Sequence, residues 1–156
     1  ECCVNNMKAT IPKPAKILGI LGLIPFCIAL LSLLHPIFYN FLEKNFKTTG
    51  LEIQIIYSII ILCFMSGTFW GFAANAKNQA ALPYILSILP TIYVLIIYLY
   101  LNELLIPLIG IGFIFLLPID IYFTKLELTP DWWLKLRVPL SITVFGILLF
   151  SNFLYP

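Results

Sequence analysis

Five long apolar stretches, separated by short polar breaks, set the plan of this chain. The clearest is Ile53 to Ala76, IQIIYSIIILCFMSGTFWGFAANA, which holds 24 residues without one Asp, Glu, Lys, Arg or His. A helix rises about 1.5 Å per residue, so roughly 20 such residues cross the hydrocarbon core of a bilayer. The pattern predicts membrane-spanning helices over about 14–34, 51–75, 81–101, 104–123 and 130–153, behind an N-terminal tail of residues 1–13. The expected fold is all-α: one domain over 14–156, a bundle of five transmembrane helices.

The breaks carry information of their own. Pro14 suits a first helical turn, and Pro25, in mid-helix, should bend the first span. After His35-Pro36, apolar residues at 38, 41, 42 and 46 fall on one helical face beside Asn40, Glu43, Lys44 and Lys47. That spacing predicts a short helix lying in the interface after the first span, ended by Thr48-Thr49-Gly50. Asn102-Glu103 is read as a tight hairpin. Thr129-Pro130-Asp131 reads as a helix start: a cap, a first-turn proline and an acid at the positive end. No internal repeat is evident, and five spans do not divide into an inverted pair.

Small residues point to packing. Gly67 and Gly71 lie four apart on one face, a spacing that lets a second helix approach closely. With Trp70 between them, they mark the second span as the expected packing centre. Trp132 and Trp133 are expected interface anchors.

Composition agrees with a lipid solvent. The chain is 62% apolar and 10% charged, against about 45–50% and 25% in soluble domains. A net charge of +2 gives no electrostatic basis for a nucleic-acid partner. The four cysteines, Cys2, Cys3, Cys27 and Cys63, form no C-x-x-C pair, and the last two read as small buried hydrophobes. His35 is the only histidine, so no metal site and no cofactor are expected. The segment from Met7 onward reads as a natural start leading into an uncleaved first membrane helix.

Charge also predicts orientation. Lys8, Lys13, Lys16, Lys77, Lys125, Lys135 and Arg137 fall on the N-terminal side, against Lys44 and Lys47 on the other. The positive-inside rule then places the N-terminus in the cytoplasm or matrix and the C-terminus opposite.

Candidate chemistry is sparse. Asp120, inside the fourth span, is the sharpest group, because an intramembrane carboxylate is costly. Three readings are open for it: a structural pair with Arg137 on the antiparallel neighbour, a proton or ion relay, and a hydrated interfacial acid. The pair is favoured. His35, Glu43, Glu52 and Glu103 read as interfacial or solvated. Ser66 has no histidine base within a span, and no catalytic constellation or phosphate-binding loop is present. The expected function is therefore non-catalytic: a structural subunit or assembly factor of a larger membrane complex, possessing lipids and other membrane subunits as partners. The alternative is a small transporter or lipid-binding protein with a site near Trp70, Pro90 and Asp120.

Four stretches together carry a family likeness: PKPAKILGILGLIPF (12–26), ILCFMSGTFWGFA (61–73), LSILPTIYV (86–94), and Asp120 followed by TPDWWLKLRVPLSITV (129–144). In order and spacing they resemble the transmembrane-protein-69-like family of small bacterial and mitochondrial multi-pass proteins. Ser66 and Trp133 depart from that pattern, where glycine and tyrosine are more usual. The resemblance implies a bacterial or mitochondrial inner-membrane location and supplies no substrate.

Overall fold

The computed structural model describes residues 10–78, 80–101 and 104–154. Among them lie seven helices and no strand: α1 (Lys13–Leu21), α2 (Ile24–Leu34), α3 (Pro36–Phe46), α4 (Gly50–Ala74), α5 (Ala81–Tyr100), α6 (Leu105–Lys125) and α7 (Trp133–Leu154). With α1 and α2 taken as one segment, five helices are long and apolar enough to cross a membrane, at 20 to 25 residues each. The protein is a polytopic all-α bundle. Its outer surface is studded with large apolar side chains such as Phe64, Leu99, Phe115 and Phe153, which lipid can cover and water cannot.

The first span breaks just before Pro25. Proline offers no N–H to the Leu21 carbonyl four residues back, and its ring crowds that carbonyl. The chain responds one turn early: Leu23 N–H bonds the Ile20 carbonyl at 3.0 Å, a tightened turn between α1 and α2. The proline and its effect were legible; a full interruption at Gly22-Leu23 is the larger form it takes. Pro90 stays inside α5 and Pro118 inside α6 without ending either helix.

Short helix α3 occupies the predicted place. His35 caps it, accepting from the Ile37 N–H at 3.4 Å, and Lys47 closes it in the left-handed region at φ 51°. Leu42 is buried, while Phe38, Phe41 and Phe46 are exposed beside it.

Thr48-Thr49-Gly50 does more than end α3. Thr49 and Glu52 form a reciprocal capping box for α4: Glu52 N–H donates to Thr49 Oγ1 at 3.2 Å, and Thr49 N–H donates to Glu52 Oε2 at 2.9 Å. Thr48 Oγ1 adds a third bond to the same carboxylate oxygen at 2.9 Å. Glu52 is thus a capping residue, not merely a solvated loop charge, because two orphan N–H groups at the helix start need acceptors. Thr49→Ala should cost about 1 kcal/mol of stability; an unchanged thermal midpoint in detergent would refute that role.

The bundle is layered around α6, half of whose spanning window is buried, against 28% for α4. Expectation placed the packing centre on α4; α6 is the more deeply buried of the two, and each packs against three other helices. Helix α6 touches α4, α5 and α7, while α4 touches α2, α5 and α6. Phe26, Leu62, Phe69, Ile109, Phe113, Leu116, Phe123 and Leu148 are nearly fully enclosed between these helices.

The glycines separate by face. An added Cβ at Gly67 or Gly71 would meet nothing within 4 Å, and both lie on the exposed side of α4. Among the described residues, no helix packs on them. The inward face of α4 carries Leu62, Met65, Ser66, Phe69 and Ala73 instead. The tight crossing is at Gly50, where a Cβ would stand 2.5 Å from the Ala29 carbonyl and collide with Ser32 Oγ. Cys27, read as buried, faces outward. Glu103, Cys2 and Cys3 lie outside the described residues.

Candidate functional site

The polar centre of the bundle is built by α6 and α7 near the ends that carry Lys125 and Lys135. Asp120 lies on the inner face of α6 and has no exposed surface; Arg137, five residues beyond the Asp131-Trp132 turn, is buried on α7. Arg137 Nε donates to Asp120 Oδ2 at 3.3 Å. The other carboxylate oxygen, Oδ1, accepts the Trp133 indole N–H at 2.5 Å. Asp120 is therefore held from both sides, each oxygen by a different donor. Burial of the pair is tolerable only because these donors replace the lost water.

Sequence reasoning placed Asp120 and Arg137 on neighbouring antiparallel helices, and the structure brings them together. It did not foresee the second role of Trp133. That residue, read as an interface anchor, is half-buried, gives its indole N–H to Asp120 and packs edge-on against Phe72 at 5.1 Å. The signal was available: residues 133 and 137 share a face of α7, and a buried indole N–H needs an acceptor. Trp132 stays half-buried beside it, ring centres 6.1 Å apart.

The expected start at Thr129-Pro130-Asp131 shifts because Thr129 is engaged elsewhere. Its hydroxyl lies 2.9 Å from Thr124 Oγ1, which also donates to the Asp120 carbonyl at 2.8 Å. Residues 130–132 form a turn, and α7 begins at Trp133. This small network ties the α6–α7 connection to the backbone of Asp120 itself.

Trp70, Pro90 and Asp120 do not share a cavity. Trp70 is half exposed on the outer face, edge-on to Tyr84 at 5.0 Å. Pro90 is buried in α5 and lines an apolar groove with Leu62, Tyr93 and Phe115. Helical phase explains the separation: Trp70 sits on the same outward arc of α4 as Gly67 and Gly71.

Two polar side chains make interhelical bonds that the sequence reading did not anticipate. Gln54, fully buried near the start of α4, donates to Ser151 Oγ on α7 at 2.9 Å. Ser66 donates to the Ser87 carbonyl, joining α4 to α5. Polar side chains in lipid seek partners across helices, so Gln54 inside an apolar run was the available clue.

A cavity of about 290 Å³ lies beside Arg137, on the α1–α2 side of the bundle. Its walls come from α1, α2, α4, α6 and α7 and are apolar except at Arg137, Ser141 and Tyr57. Arg137 Nη2 and Ser141 Oγ are buried and have no hydrogen-bond partner among the described residues.

No curated protein and no solved structure gives a significant match to this chain. A family described as Protein of unknown function (DUF3429) matches residues 11–153, a span that includes the Asp120–Arg137–Trp133 cluster and all five apolar helices but for Leu154 at the end of α7. The chain belongs to that family.

Proposed function

We propose that this protein is a non-catalytic integral membrane subunit or assembly factor, which docks a helix of another membrane protein on the outer face of α4. The observation that carries this reading is the bare strip at Gly67 and Gly71. Elsewhere the outer arc of α4 shows bulky side chains, Ile56, Ile60 and Phe64. At Gly67 and Gly71 the backbone itself is open: among the described residues, no side chain and no other helix comes within 4 Å of an added Cβ. Lipid gains little from such a strip, whereas a second helix gains close backbone contact.

The buried polar centre supports the same reading. Both oxygens of Asp120 are occupied by donors of the chain, an arrangement suited to fastening helices rather than to passing protons. The charge bias of the loops supports an N-terminus on the cytoplasmic or matrix side. The likeness to the transmembrane-protein-69-like family supports an inner-membrane setting.

Photo-crosslinkers placed at Gly71 and, as a control, at outward-facing Phe115 would test the docking face in native membranes. A protein adduct of defined mass is expected from position 71 and not from 115. The paired substitution Gly67→Leu and Gly71→Leu should abolish copurification of that same protein without lowering the thermal midpoint. A chain that purifies alone in mild detergent and crosslinks only to lipid would overturn the reading.

A further inference from the structure

The cavity beside Arg137 is independent of the α4 docking strip, and its chemistry is specific. Arg137 uses Nε on Asp120 but leaves Nη2 buried and unpaired; one helical turn on, Ser141 Oγ is buried and unpaired as well. Both residues line the same cavity. A buried donor without an acceptor costs free energy comparable to a lost hydrogen bond, and two on adjacent turns mark the place of a missing acceptor.

We propose that this cavity binds a glycerolipid through the ester carbonyl of one acyl chain, with Arg137 Nη2 and Ser141 Oγ donating to the carbonyl oxygen.

Charge selects the kind of acceptor. Asp120 already balances Arg137, so a carboxylate or phosphate here would leave one uncompensated negative charge in a low-dielectric interior. A carbonyl oxygen brings two lone pairs and no charge. The remaining wall, with Leu23, Phe26, Met65, Leu140 and Val144, suits a hydrocarbon tail.

Depth and access fit the same occupant. Arg137 lies four residues into α7, about 6 Å along its axis from Trp133. The α6–α7 connection just before α7, with exposed Glu127 and Asp131, suits the headgroup level, so the Arg137 donors fall just inside, where the ester groups of a bilayer meet its hydrocarbon. The cavity reaches the lipid-facing surface at Leu18 and Phe64, which are 68% and 65% exposed. The break at Gly22-Leu23 shapes this opening: Gly22 is a wall residue, and a Cβ there would stand 3.7 Å from the Tyr57 hydroxyl. At about 290 Å³ the space is at the small end of ligand pockets, enough for part of one chain and not for a headgroup.

Native mass spectrometry of the full chain in detergent can compare three probes: a diester phosphatidylcholine, its diether analogue lacking both carbonyls, and free oleate. One diester lipid should bind roughly fivefold more tightly than the diether, the worth of a hydrogen bond or two. Ser141→Ala should reduce that preference to roughly twofold, and Ser141→Leu, which fills the space, should abolish the bound lipid. The wild-type comparison of ester with ether decides the matter without relying on any variant's folding. Equal ester and ether affinities, tighter binding of oleate in competition, or no lipid retained at all would each overturn the proposal.

Discussion

Arg137→Gln is expected to lower stability by about 3–5 kcal/mol, the largest loss from any single surface-neutral change in this protein. The substitution leaves the Asp120 carboxylate enclosed with only the Trp133 indole as a strong donor. Asp120→Asn should be similarly harmful, because Arg137 would then be a buried cation facing no anion. The double variant should lose less than the sum of the two, by roughly 1–3 kcal/mol. Replacing both residues with Leu and Met should come close to the wild type, since well-packed apolar pairs can stand in for buried ion pairs. Reversible unfolding in mixed micelles, followed by circular dichroism, measures all four. Strictly additive losses would show that Asp120 and Arg137 do not act on each other.

Gly50→Ala should rank second, at about 2–3 kcal/mol, through overpacking. Gly50 has no positive φ, so the backbone would accept alanine readily. The obstacle is the crossing with α2, where the new methyl would press on the Ala29 carbonyl and Ser32 Oγ. Backbone carbonyls held in a helix cannot step aside cheaply. Gly67→Ala, in the same helix, should instead be neutral or gain up to about 1 kcal/mol from helix propensity, because nothing of the chain stands near it. The pair of measurements, made by thermal melting in detergent, asks whether face or residue type controls the outcome. Equal effects at the two positions would remove the argument.

These glycines also show where sequence reading stops. Spans were legible because length and apolarity are one-dimensional properties. The Asp120–Arg137 juxtaposition was legible because consecutive helices joined by a short turn are antiparallel neighbours. Facing is different. The apolar runs of α4 are nearly uniform around the helix, so no hydrophobic stripe says which arc turns inward. Gly67 and Gly71 therefore looked like interior packing positions, while Gly50 looked like a turn residue. The bond from Trp133 to Asp120 went unforeseen for a related reason: a tryptophan at a helix start suits both an interface and a buried acceptor, and the acceptor's position is not written in the sequence. The cavity by Arg137 was not legible, since it depends on how α1 and α2 lie against α4, α6 and α7.

The Gln54–Ser151 hydrogen bond links residues 97 positions apart in the chain, and Asp120 likewise waits for donors that belong to α7. During insertion, α4 and α6 enter the bilayer with an amide and a carboxylate that have no counterpart until α7 arrives. Until α7 is made, the protein is electrostatically incomplete. A nascent product that stops short of α7 would display those two groups to any membrane chaperone or protease that surveys for them, and only the arrival of α7 would withdraw them from view.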